Sequence, residues 1–162
     1  MRALRSVIED DAWDYVAGGT VANDLSARDV QAGESTAVAM PSPALAKGFD
    51  GFKPLGPALL SADELCRHPA LEITTEVNGV IRQRSSTAEL IFPVPRLLSY
   101  LSSLLALEPG DVILTGTPAG TGVADGRFLT PGDVVSVTVE RIGTLTSVIA
   151  APLTDAERRA AP

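Results

Sequence analysis

Apolar and polar positions are patterned most clearly in the second half of the chain. Between residues 93 and 107 the apolar side chains fall at 94, 97, 98, 101, 104 and 105. That stripe predicts a helix, with Pro95 near the first turn, where its missing N–H costs nothing. Before it, β-prone runs at 71–77 and 80–83 flank Asn78-Gly79, the strongest short-range hairpin signal. After it, Glu108-Pro-Gly-Asp111 and Thr130-Pro-Gly-Asp133 each predict a type II turn, with Pro presetting the second position and Gly taking the positive φ of the third. Strands are expected to follow at 112–115 and 134–140, and a last one at 144–150 after a turn at Gly143.

The first half is less regular. Residues 9–17 predict a short helix with acids in its first turn and Gly18 as the C-terminal cap. Trp13, Val16 and Ala17 are expected on one face of it. A short strand is expected at 20–23. Residues 32–56, rich in Gly, Ala, Ser and Pro, read as a long loop, a feature uncommon in a compact domain unless it has a function or is disordered. No repeat and no linker interrupts the chain. The expectation is one α+β domain, β-rich in its second half, with a frayed tail over 151–162.

Composition narrows the function classes. At 162 residues, 45% hydrophobic and 20% charged, the chain can bury a core. No apolar run approaches the roughly 18 residues needed to span a bilayer, and acids interrupt the N-terminus before a signal-peptide core develops. A net charge of -7 and a pI near 4.6 argue against nucleic acid as a partner. The single cysteine, Cys66, cannot form an internal disulfide, which suits a cytoplasmic setting.

Candidate chemistry is sparse. Asp24, Arg28, Asp29 and Gln31 lie just after the expected strand, a usual place for ligand-binding groups. The competing reading has Asp24 or Ser26 capping a helix, Asp29 in its first turns and Arg28 in a surface ion pair. Lys47, in the loop, reads by itself as a solvated charge. Thr115-Gly-Thr117-Pro-Ala-Gly120-Thr-Gly122 fits equally a backbone brought against a ligand or a tight turn that needs glycine. It lacks the lysine of a phosphate-binding loop. His68, the only histidine, reads as a surface residue beside Pro69. With Cys66 two positions away and no second pair there is no zinc pattern, and no Gly-x-Ser-x-Gly elbow is present.

Taken together, the pieces resemble a known family. Asp14-Tyr-Val-Ala-Gly18, Asn23-Asp24-Leu-Ser-Ala-Arg28-Asp29-Val-Gln31, Ala46-Lys47-Gly-Phe-Asp-Gly-Phe, Pro54-Leu-Gly-Pro57, Val77-Asn-Gly79 with Gln83, Thr87-Ala-Glu-Leu-Ile-Phe92 and Leu107-Glu-Pro-Gly-Asp-Val-Ile-Leu-Thr-Gly-Thr-Pro118 follow the order of the fumarylacetoacetate hydrolase family's catalytic domain. The resemblance covers most of residues 1–150 and points to the acylpyruvate hydrolase and 2-hydroxyhepta-2,4-diene-1,7-dioate isomerase type. It implies a mixed β-sheet roll, a homodimer, and Mg²⁺, Mn²⁺ or Ca²⁺ in a site that takes a small anionic 2-oxo or enol acid. A hard cation favours oxygen ligands and can stabilise an enolate as a Lewis acid. By the same resemblance Asp24 is a metal ligand, and Arg28 and Gln31 contact the substrate and its oxyanion. Lys47 neutralises charge beside the metal and the developing oxyanion, and Thr117 contacts the substrate carboxylate.

The chain departs from the family pattern in one main respect. The family's other two metal ligands form a Glu-x-Glu, whose spacing puts both carboxylates on one face of a strand. This chain has no Glu-x-Glu. Nor does it carry the family's acid–base His and Glu, and Gly19 stands where a Tyr is common. The expectation is a domain lacking its N-terminal strands, accounted for by a start called too far downstream, a truncated homologue, or a fragment completed by another chain. The leading functional expectation is an enzyme of 2-oxo or enol acid catabolism, such as that of aromatic compounds. The alternative is a catalytically inactive binding or assembly subunit of the same fold.

Overall fold

A computed structural model describes residues 4–35, 40–65, 67, 69–152 and 159. Cys66, His68 and most of the expected frayed tail lie outside the described residues.

The chain opens with a 3-10 helix, Glu9–Tyr15, whose first turn holds Glu9, Asp10 and Asp11. Acids there complement the free N–H groups at the helix start. The helix is shorter than expected and Gly18 does not cap it. Val16 turns extended, and Gly18 begins strand β1 (Gly18–Ala22). The reason is steric: a Cβ on Gly18 would stand 2.3 Å from the Leu60 carbonyl oxygen of the partner strand. The buried residue of the helix is Ala12, with no exposed surface.

β1 pairs antiparallel with β2 (Leu55–Ser61), with Gly18 opposite Ser61 and Ala22 opposite Leu55. Between them run helix α1 (Arg28–Ala32) and a 3-10 turn, Leu45–Lys47, so the expected loop is partly structured. Helix α2 (Ala62–Leu65) follows β2 and sends Leu65 into the core.

The main sheet has the order β4-β3-β5-β6, all antiparallel, from β3 (Glu72–Val77), β4 (Val80–Ser86), β5 (Val134–Val139) and β6 (Gly143–Val148). The Asn78-Gly79 signal holds: both residues take positive φ, 53° and 76°, as a type I′ turn requires. Both Pro-Gly turns form as read, closed by Asp111 N–H to Glu108 O and Asp133 N–H to Thr130 O at 3.0 Å each. In each, the aspartate carboxylate also accepts the N–H of the turn's first residue. β5 alternates strictly, with Val135, Val137 and Val139 buried against Val21, Leu65 and Leu71.

Helix α3 (Val94–Leu104) ends three residues short of the expected boundary. Leu105 is extended, and Leu107 instead exchanges two backbone hydrogen bonds with Leu4. A second core cluster of Val7, Ala12, Leu98 and Leu107 results. The strand expected at 112–115 is absent. After the turn at 108–111 the segment joins no ladder among the described residues, and Val112 is 57% exposed. α4 (Gly122–Asp125) follows it.

Two predictions follow from this packing. Ser102 is 1% exposed; its Oγ accepts the Val7 N–H at 2.9 Å and donates to Ser99 O. Ser102→Ala orphans that N–H and is expected to lower stability by about 1–3 kcal/mol in urea denaturation. Ser103→Ala, whose hydroxyl is solvent-exposed, costs less than about 0.5 kcal/mol. Equal effects would refute the assignment.

The second concerns pH. Backbone and side-chain hydrogen bonds from Thr130, and one from Asn78 Nδ2 at 2.8 Å, hold the Asp133 carboxyl below the ordinary carboxylate range. A depressed folded pKa means a contribution present above the unfolded value of about 3.9 and lost as pH falls through the folded one. Asp133→Asn should therefore flatten the acid side of a stability-versus-pH curve, measured by thermal unfolding, below about pH 4.

Candidate functional site

The segment after β1 carries most of the candidate residues. Asp24 lies between β1 and α1 and is one-third exposed. Its Oδ2 is bonded to the Lys47 ammonium, and its Oδ1 takes the Lys53 ammonium at 2.7 Å. Partial burial pushes this carboxyl up. Hydrogen bonds and charge from Lys47 and Lys53 outweigh that and hold it below its usual range.

Lys47 closes the 3-10 turn 45–47, so its position follows from that turn. The turn is stitched to the Asp24 segment by Ala27 N–H to Ala46 O at 2.9 Å. Ala46, with no exposed surface, leaves no room between the two. Lys53 was not anticipated from the sequence. Its Nζ donates to Lys47 O at 2.7 Å and reaches the carbonyls of Leu25 at 3.3 Å and Phe52 at 3.4 Å. A lysine six residues after another carries no periodic signal, and only the fold brings it back to Asp24.

Arg28 begins α1, and its Nη1 donates to Gln31 Oε1 at 2.5 Å, one turn on. The capping alternative fails. The residue before α1 is Ala27, with no side-chain cap, and Ser26 Oγ is buried without a partner, as are Asn23 Nδ2 and Trp13 Nε1.

Thr117 sits on the irregular segment after the first Pro-Gly turn. Gln83 Nε2 of β4 donates to Thr117 Oγ1 at 3.0 Å and to Pro118 O at 2.8 Å. A Cβ on Gly120, at φ +102°, would stand 2.0 Å from the Arg82 carbonyl oxygen. Gly120 is therefore required by close packing of backbone on backbone: the loop lies directly on β4. Arg82 adds a second tie, to Asp125 at 3.1 Å.

Asp24, Arg28, Gln31, Lys47 and Thr117 all line one open cleft of about 2080 Å³, which also runs over Val135 and Val137. Pockets for small molecules are typically about 300–1,000 Å³. The cleft is larger than such a pocket and stays open to solvent. The structure joins Asp24 to Lys47 and Arg28 to Gln31, and holds Thr117 from a separate element.

A divalent cation does not fit these residues alone. Among the described residues no three His, Cys, Asp or Glu side chains converge. Both oxygens of Asp24 are engaged by ammoniums, and the trio of Asp24, Lys47 and Lys53 carries one net positive charge.

The fold agrees with what the comparisons find. The family model for the C-terminal domain of fumarylacetoacetate (FAA) hydrolase matches residues 1–150, and the chain belongs to that family. Its enzymes are generally dependent on divalent metals. An uncharacterized protein of Staphylococcus aureus (strain USA300) is 43% identical over 141 residues, 86% of this chain and 45% of its own length. The solved 5-carboxymethyl-2-hydroxymuconate delta-isomerase of Mycobacterium smegmatis superposes with a TM-score of 0.81 at 40% identity, over 94% of this chain and 55% of that one. The fumarylacetoacetate hydrolase of Exiguobacterium antarcticum gives a TM-score of 0.81 at 34% identity, over 93% and 52%. The chain spans about half the length of these relatives.

Gln83→Ala removes the clamp on the 115–118 loop while leaving the sheet pairing intact. Amide exchange across residues 115–121, followed by mass spectrometry, is expected to rise on the order of tenfold, the worth of about one hydrogen bond in local opening. Unchanged protection would show that Gly120 contact alone holds the loop.

Proposed function

We propose that this chain is the C-terminal catalytic portion of an enzyme acting on a small 2-oxo or enol carboxylic acid. The reaction class is C–C hydrolysis of an acylpyruvate, or isomerisation or decarboxylation through an enolate. The observation that carries the reading is the Asp24 carboxylate paired with the Lys47 and Lys53 ammoniums, with Asp24, Lys47 and Arg28 lining one cleft, in a family whose solved members include isomerases and hydrolases of oxo acids.

In this reading Arg28, steadied by Gln31, binds a substrate carboxylate through its guanidinium, which suits planar anions. The Lys47 ammonium opposes negative charge gathering on the oxygen of an enolate, an electrostatic role that works best in a preorganised site. Thr117, fixed by Gln83, offers a hydroxyl to the other end of the substrate. Mg²⁺, Mn²⁺ or Ca²⁺ would need carboxylates beyond Asp24, so no step here runs through a metal. A homodimer, a cytoplasmic location and no nucleic-acid partner belong to the same proposal. Among the described residues no helix is long and apolar enough to cross a membrane.

The second reading, a non-catalytic binding or assembly subunit, is supported by the open cleft and by the lack, among the described residues, of a cluster of three His, Cys, Asp or Glu side chains.

Calorimetric titration with oxalate, a stable mimic of a planar enolate, tests the anion site. Arg28→Met and Lys47→Met should each weaken binding about tenfold or more, as expected for a charged hydrogen bond of about 1.5–3 kcal/mol. If both variants bind oxalate as the parent does, the site assignment is wrong. Oxalate binding without turnover of any acylpyruvate, followed by loss of enol absorbance, would select the binding-subunit reading.

A further inference from the structure

Lys53 lies in an environment unusual for a lysine. Its ammonium meets four oxygens: Asp24 Oδ1 and the Lys47 carbonyl at 2.7 Å, the Leu25 carbonyl at 3.3 Å and the Phe52 carbonyl at 3.4 Å. One carboxylate with several backbone carbonyls is the donor set that hard cations select. An ammonium is a compact point charge with three N–H donors, so it can satisfy such a cage in a cation's place. Only a third of the side chain is exposed, unlike the exposed stems of ordinary surface lysines such as one expects on an acidic protein.

We propose that Lys53 is a tethered cation that occupies the oxygen cage at Asp24 Oδ1, and that an external divalent ion reaches that oxygen only by expelling it. The tether makes the lysine's occupancy intramolecular, so it competes at an effective concentration far above that of a free ion. Lys53 acts as a positioning residue. By bonding both the Asp24 carboxylate and the Lys47 carbonyl, it fixes where the two chemistry-bearing side chains stand. The inference rests on the local oxygen geometry and not on the reaction class proposed above.

The test is Mn²⁺ binding to the 162-residue chain, read from the electron paramagnetic resonance signal of free Mn²⁺ without any organic acid. Lys53→Met keeps the apolar stem and removes the charge. It is expected to bind Mn²⁺ at least tenfold more tightly than the parent, and Lys53→Met combined with Asp24→Asn should lose that gain. Mn²⁺ binding equal to or weaker than the parent's in a Lys53→Met protein that melts cooperatively would overturn the proposal. So would a gain that survives Asp24→Asn. Should Lys53→Met fail to fold, the ammonium resonances of the ¹⁵N-lysine-labelled parent decide. The proposal requires a Lys53 ammonium signal protected from solvent exchange and displaced by added Mg²⁺. A Lys53 signal as fast-exchanging as that of a free lysine, or one indifferent to Mg²⁺, refutes it.

Discussion

A single carboxylate shared by two ammoniums organises the segment between β1 and β2. Asp24 follows β1, Lys47 closes a 3-10 turn, and Lys53 precedes β2, so three loop positions meet at one point. Pairs this exposed contribute about 0–1 kcal/mol each, too little to hold the fold together. Their effect is positional. Lys53 also binds three carbonyls, and the backbone bonds Ala27 to Ala46 and Leu25 to Phe52 run alongside. The irregular segment between β1 and β2 thereby keeps a defined shape with little regular structure.

Stability comes from elsewhere. The buried face of β5 packs against Val21, Leu65 and Leu71, and the second cluster is pinned by Leu4–Leu107 pairing and by Ser102. Glycine couples the two regimes. Gly18 lets β2 approach β1, and Gly120 lets the Thr117 loop lie on β4, each where a Cβ would overlap a carbonyl oxygen. The sheet thus acts as a rigid base, and the cleft residues stand on loops pressed against it.

Legibility in the sequence followed the range of the interactions. The hairpin at Asn78-Gly79, the two Pro-Gly turns and the stripe of α3 are local, and the residues that make them are adjacent or a turn apart. They could be read directly, and the α+β class with them. Elements decided by distant partners were misread. Gly18 looks like a cap until the Leu60 carbonyl is seen, and residues 112–115 look like a strand although no described strand pairs with them. β2 was hidden because Gly56 and Pro57 argue against a strand, yet an edge position tolerates them. In the site, the block from Asn23 to Gln31 and Lys47 was legible through family resemblance. Lys53 was not, because its carboxylate partner, Asp24, lies far upstream and its other partners are backbone carbonyls.

The charge balance ties the local and global pictures together. The whole chain carries -7, and an anionic acid approaching it meets net repulsion at long range. Within about 8 Å of a site, at physiological salt, the local charges dominate because the distant ones are screened. At Asp24 those local charges are two lysines against one carboxylate, with Arg28 four residues on. The sign is therefore inverted at that one carboxylate. An oxygen cage filled by a lysine and a carboxylate already doubly paired both favour an anion over a free cation there. A divalent metal at this point would need carboxylates beyond Asp24, with enough of them to overcome that positive charge.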